Sequence, residues 1–145
     1  MTNLIIRSAQ IPKELPQVYK IRYLVFQIEQ GVDPTLEFDG KDERAHHLIA
    51  FLGEKAVGTA RIRFLEDQTA KVERVAVLPE VRGQGIGRKL MDYIEAFLVE
   101  RQVTEVYMHA QEPVREFYQK LGYVPEGRAF EEAGIPHIAM RKLLR

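Results

Sequence analysis

The run Arg82-Gly83-Gln84-Gly85-Ile86-Gly87-Arg88-Lys89 combines residue types that bind phosphate. Glycines remove side chains and let an anion approach bare backbone amides. The first amides of a helix lack intrahelical acceptors, and the helix dipole adds partial positive charge at the same end. Arg82, Arg88 and Lys89 add full positive charge. A P-loop requires Gly, four residues and then Gly-Lys-Ser/Thr, and no such run exists. A dinucleotide fingerprint starting at Gly83 would need glycine at position 88, which is Arg88. The spacing Arg/Gln-x-x-Gly-x-Gly/Ala is met by Arg82, Gly85 and Gly87.

Composition removes other chemistries. The chain has no cysteine, which excludes a thiol nucleophile, a disulfide framework and Cys-ligated zinc. Asp39, Asp42, His46 and His47 lie close in sequence but lack EF-hand spacing, so no metal is expected. The acidic loop they sit in hints instead at a cationic acceptor. Lys plus Arg balances Asp plus Glu at 21 each, without the basic excess of a nucleic-acid binder. No apolar run reaches the length of a membrane span, and no secretory signal is visible. A cytoplasmic protein without nucleic-acid or membrane partners is expected.

The elements that would position the glycine run follow from periodicity. Leu4–Ile6 is a short strand. Val18, Ile21, Val25 and Ile28 recur at helical spacing up to Gly31. Residues 32–44 form a polar, acidic loop with room for a short helix. His47–Leu52, Val57–Leu65 and Val72–Leu78 are strands with short links, an antiparallel meander. After Gly87, an amphipathic helix carries Leu90, Met91, Ile94, Phe97 and Leu98. Val103–His109 is a strand, and a helix after Pro113 ends at Gly122. A strand from Tyr123, a loop through Gly134 and a strand over His137–Leu143 complete one α/β domain over residues 1–145 with a mixed, mainly antiparallel sheet.

The strand–glycine loop–helix unit and this order of elements resemble the GNAT superfamily of N-acetyltransferases. Glu116-Phe117-Tyr118-Gln119-Lys120-Leu121-Gly122-Tyr123 is similar to a second segment of that family. Val25–Gln30, Asp39–Asp42, His47-Leu48 and Phe130–His137 resemble the ElaA-like branch. The resemblance implies transfer of an acetyl group from acetyl-CoA, as co-substrate, to a primary amine of a small molecule, peptide or protein by direct attack. Arg82, Gly83, Gln84, Gly85, Ile86, Gly87 and Arg88 would hold the pyrophosphate. Val75, Ala76 and Val77 would hold the pantetheine arm, with a backbone N–H as oxyanion donor. Tyr118 would serve the departing thiolate. Glu73 would be the base, with Glu29, His47 and His137 as alternatives and as lining of an acceptor pocket. The other reading is a non-catalytic acyl-CoA-binding module with the same fold. A homodimer fits the base rates of oligomers.

Overall fold

Strand β3 (Lys55–Phe64) is buried from Val57 to Ile62 and is the centre of the architecture. Its faces alternate by residue. Gly58, Ala60 and Ile62 meet helix α3 (Ile86–Glu100), which buries Ile86, Leu90, Met91, Ile94, Phe97 and Leu98. A Cβ on Gly58 would lie 3.1 Å from Leu90 Cδ1 and 3.4 Å from the Ala76 carbonyl, so glycine lets this helix approach the sheet. Thr59 and Arg61 point to the opposite face, towards α1 (Leu15–Arg22).

The computed structural model describes residues 3–144. Its one sheet has seven strands in the order β1-β2-β3-β4-β5-β7-β6. The flanking strands are β1 (Leu4–Ser8), β2 (His46–Leu52), β4 (Thr69–Val77), β5 (Glu105–Gln111), β6 (Val124–Glu132) and β7 (Ile135–Leu143). The meander β2–β3–β4 is antiparallel, as its short links require, and β4 against β5 is the parallel pair. Helices α2 (Pro34–Glu37) and α4 (Arg115–Lys120) are short.

Three expectations change. The first helix leaves α geometry after Arg22 and continues as a π-helix over Tyr23–Glu29, with the Gln30 N–H on the Val25 carbonyl at 3.1 Å. Such segments cluster at functional sites. The loop placed before Gly134 is instead strand. β6 runs to Glu132 and turns directly into β7 through Ala133 (φ 53°) and Gly134 (φ 77°), the positive-φ pair of a type I′ hairpin. The third change concerns the acidic loop. Arg22 pairs with Glu37 and with Asp42 (2.8 Å), while Arg61 pairs with Asp39 (2.7 Å), Asp42 (3.0 Å) and Glu73. Arg22, Arg61, Glu37 and Asp42 are all buried. Glu37, Asp39 and Asp42 are therefore neutralised by arginines and give no evidence for a cationic acceptor.

This network staples residues 37–42 onto the sheet. Removing one partner strands buried charge, at a typical cost of about 3–5 kcal/mol. Arg61→Ala is expected to lose stability of that order in urea unfolding. Arg63, Arg61 and Lys71 hold the Glu73 carboxyl down at about 2 against the desolvation that opposes them, and Arg61 holds Asp39 low as well. Groups depressed in the fold stabilise it fully above their ordinary pKa and lose that contribution as pH falls through the folded value. Acid titration should therefore erode stability from about pH 4.5 towards pH 2. In Arg61→Ala this acid-dependent loss should be shallower.

Candidate functional site

Strands β4 and β5 pair only at Thr69–Lys71 against Glu105–Tyr107. Beyond that point β4 continues to Val77 and β5 to Gln111 without bonding each other. The cause lies in β4. Its register against β3 slips between Thr59 and Arg61, and Arg74 takes φ 54°, the mark of a bulge. The bulge sends Arg74 to the Glu37 carbonyl (Nη2, 3.0 Å) and frees the following residues from β5. The result is a cleft of about 720 Å³ between the splayed strands.

The edge of β4 offers amides to this cleft. The Leu78 N–H donates to the Val57 carbonyl at 2.9 Å, across β3. Amides alternate sides along a strand, so the Val77 N–H faces the open side. The Val77 carbonyl shares that side and accepts from Arg82 Nε at 3.0 Å. Val75, Ala76 and Val77 all line the cleft.

At one end of the cleft, β4 passes through the turn Pro79–Val81 into the glycine run. Gly83 and Gly85 both have φ 80°, and Gly85 is the N-cap of α3. A Cβ built on either would meet no protein atom within 4 Å. The glycines therefore serve conformation and open space rather than internal packing. The first helical bond is Lys89 N–H to the Gly85 carbonyl at 3.1 Å. The preceding amides face solvent, and this cradle fits a pyrophosphate. Arg82, Gly83, Gly85, Ile86, Gly87 and Arg88 line the cleft, whereas exposed Gln84 lies in the same turn outside that lining. Arg82 departs from expectation, because its guanidinium forms a bidentate pair with Glu29 (2.5 and 2.6 Å). That pair ties the glycine loop to the end of the π-helix.

Tyr118 reaches the cleft from α4. Its placement explains the Phe-Tyr-x-x-x-Gly-Tyr spacing. The Tyr123 N–H bonds the Tyr118 carbonyl (3.1 Å) and the Gly122 N–H bonds the Gln119 carbonyl (3.0 Å), a Schellman cap with Gly122 at φ 97°. The apolar contact that accompanies such caps is Tyr118 edge-on to Tyr123, at 5.9 Å. Phe117 packs edge-on from the other side at 4.9 Å. Burial pushes the Tyr118 phenol well above its ordinary pKa, so it remains a protonated donor. The Tyr123 hydroxyl donates to Glu95 (2.9 Å), whereas that of Tyr118 has no protein partner among the described residues.

The remaining sequence candidates separate. His137 lines the cleft from β7, beside Gln111 in register. Glu29 lies outside the cleft lining, its carboxylate paired with Arg82. His47 lies away from the cleft, buried under the ion-pair network with Nε2 2.9 Å from the Asp42 carbonyl. Burial lowers its pKa. Glu73 lines the cleft, but both oxygens are taken by Arg61 and Arg63. A carboxylate held at about 2 is a weak base, which corrects the role expected for it.

Other lining residues were not singled out by sequence reasoning. Gln30 and Gln111 exchange amide hydrogen bonds at 3.2 and 2.9 Å, joining the π-helix end to the end of β5. His109 and Glu132 face the cleft beside His137. Period-2 alternation in β5 would have placed His109 on the same side as Tyr107 and Gln111. Glu132 was hidden by the unrecognised hairpin.

Known proteins share this fold. The Acetyltransferase (GNAT) domain family matches residues 25–144. The uncharacterized protein YyaT of Bacillus subtilis is 37% identical over 89% of this chain and 88% of its own length. ElaA of Escherichia coli is 31% identical over 89% of this chain and 87% of its own. Its crystal structure superposes with a TM-score of 0.84 at 28% identity, covering 98% of this chain and 99% of that one. A Lactobacillus plantarum protein crystallised as a candidate N-acetyltransferase reaches a TM-score of 0.92 at 27% identity, covering 98% and 99%. The splayed strands, the glycine cradle and the capped tyrosine thus sit in a chain that belongs to the GNAT acetyltransferase family.

Proposed function

We propose that this protein transfers an acetyl group from acetyl-CoA to a primary amine by direct attack in a ternary complex. The observation that carries the reading is the glycine cradle opening into the β4/β5 cleft that Tyr118 lines. Acetyl-CoA supplies the thioester. The amides of residues 83–88 hold its pyrophosphate, with Arg88 alongside. The open edge of Val75–Val77 receives the pantetheine arm in place of the missing β5 partner, and the Val77 N–H faces the place where negative charge develops on the carbonyl oxygen. Tyr118, protonated and without a protein partner, donates to the departing sulfur. The chain has no cysteine, so no acetyl-Cys intermediate competes with direct attack.

The acceptor enters from the other end of the cleft, where Val32, Leu36 and Ile135 give apolar walls. An amine on a partly apolar body, whether a small molecule or a lysine side chain, suits that lining. The test is release of free thiol from acetyl-CoA in the presence of a panel of primary amines. Thiol release that depends on an amine and yields the acetylated amine supports the reading. Tight acetyl-CoA binding without transfer to any amine would support a binding module instead.

Arg82→Gln gives a narrower check. The Glu29 pair orders the loop but contributes no cradle amide, and exposed pairs are worth at most about 1 kcal/mol. Acetyl-CoA affinity by calorimetry should fall by less than about tenfold. A loss of a hundredfold or more would put the Arg82 side chain on the pyrophosphate.

A further inference from the structure

Beside the β6–β7 hairpin, Tyr107, His109, Glu132 and His137 form one connected group on the acceptor side of the cleft. Tyr107 Oη lies 2.9 Å from His109 Nε2, and His109 Nδ1 lies 2.9 Å from Glu132 Oε1. These contacts assign the protons. Glu132 accepts only, so His109 carries its proton on Nδ1, and its Nε2 accepts from the tyrosine. One oxygen of Glu132 is thereby fixed. The other, Oε2, lies 3.8 Å from His137 Nε2. His137 donates Nδ1–H to the Ile135 carbonyl at 2.7 Å, which leaves the Nε2 lone pair free. The ring is 7% exposed and stacks on Phe130 at 6.1 Å. The hairpin accounts for the convergence. A tight type I′ turn pairs Glu132 with Ile135 and Phe130 with His137 across two adjacent strands, and β5 brings His109 alongside.

We infer that His137 is the base that deprotonates the acceptor ammonium, and that Glu132, held by the Tyr107–His109 chain, is the positioning residue that stabilises the imidazolium. This rests on the acyl-transfer reading and deepens it. The ammonium N–H bond breaks, its electron pair stays on nitrogen, and the proton moves to His137 Nε2. The new cation then sits beside the free oxygen of Glu132. The neutral amine attacks the thioester carbon and the C–N bond forms. The C–S bond breaks with its electron pair going to sulfur, which takes a proton from Tyr118. The amide nitrogen gives up its second proton through solvent to the Tyr118 phenolate, and the His137 proton leaves to solvent. The charged and titratable groups around the pair are Glu132 from the hairpin, Tyr107 and His109 from β5, and Lys71 and Arg141. The two cations come from the strands on either side of β5 and lie 6.0 and 4.3 Å from the centre of the Tyr107 ring. Among the described residues, Glu132 is the one carboxylate within 4 Å of a His137 ring nitrogen. The other carboxylates that line the cleft, Glu37, Asp39 and Glu73, are each paired with arginines.

The experiment pairs kinetics with nitrogen-15 NMR of the imidazoles. The kinetic probe is the amine of the panel that gives the fastest thiol release. In the wild type, the acidic limb of kcat/KM against pH should follow the His137 titration midpoint. Glu132→Gln should move that midpoint and that limb to lower pH together. His137→Gln should lower kcat by 100-fold or more, the scale of general-base catalysis, with the acetyl-CoA Kd unchanged. His109→Gln should give a smaller loss, because Glu132 is then less well held. A His137→Gln enzyme within threefold of wild type would overturn the assignment. So would a limb that stays fixed in Glu132→Gln while the midpoint moves. A wild type that transfers to no amine overturns the acyl-transfer reading itself, which is a different result.

Discussion

Gly85→Val should reduce the affinity for acetyl-CoA by at least 100-fold, measured by calorimetry, while the protein stays folded. The position explains both halves of the result. A Cβ at Gly85 meets no protein atom within 4 Å, so the core is not overpacked. Its φ of 80° costs a branched residue about 1–2 kcal/mol. The added atoms project into the space where a phosphate would approach the amides, and the strained backbone reorients the N-cap of α3. Losing several amide–phosphate hydrogen bonds at about 1.5–3 kcal/mol each accounts for the expected drop. A variant that binds acetyl-CoA as tightly as the wild type would show that the run is a turn and nothing more.

Tyr118→Phe should lower kcat by about 10²-fold with the acetyl-CoA Kd within a factor of two to three. The ring is kept, so the edge-on packing on Phe117 and Tyr123 and the helix cap survive. The substitution removes only a hydroxyl that lacks a protein partner. A hydroxyl that opens on the cleft without a protein partner contributes little to stability, so the thermal midpoint should hold. This separates a chemical role from a packing role. A catalytic donor shows in kcat alone, whereas a core tyrosine would show in the melting curve and leave kcat unchanged. The wild-type rate should persist well into alkaline pH on this account, because burial keeps the phenol protonated there.

The glycine-cradle half of the candidate site was legible in sequence because it is local. Arg82, Gly85 and Gly87 lie within one turn, between a Val-rich strand and an amphipathic helix, and spacing alone distinguishes them from other phosphate loops. The Tyr118 segment was legible for the same reason, since its Schellman cap spans consecutive residues. Of the acceptor half only His137 was, because the rest depends on events without a local signature. The β4 bulge turns on Arg74, an ordinary residue in a left-handed conformation. The π-helix that brings Gln30 to Gln111 has no distinctive spacing, and the apolar residues Val25 and Ile28 suit an α-helix equally well. The β6–β7 hairpin turns on Ala133-Gly134 rather than the stronger Asn-Gly or Asp-Gly signal. Hiding that turn hid the convergence of Glu132 with His109 and His137.

Charge was the other source of error. Asp39, Asp42 and Glu73 are carboxylates in a cleft-forming region, and sequence gives no sign of their partners. The arginines that neutralise them come from α1, β3 and β4, up to 35 residues away in the chain. Arg61 alone contacts Asp39, Asp42 and Glu73. Such a network fixes the loop that roofs the cleft. It also occupies both oxygens of Glu73 with arginines, which makes that carboxylate a weak base.

The most direct test of the account is amine-dependent release of thiol from acetyl-CoA, run in parallel on the wild type and Gly85→Val. The account predicts stoichiometric thiol and acetylated amine from the wild type, and almost none from the variant at an acetyl-CoA concentration that saturates the wild type. Wild-type protein that binds acetyl-CoA yet releases no thiol with any primary amine would contradict it.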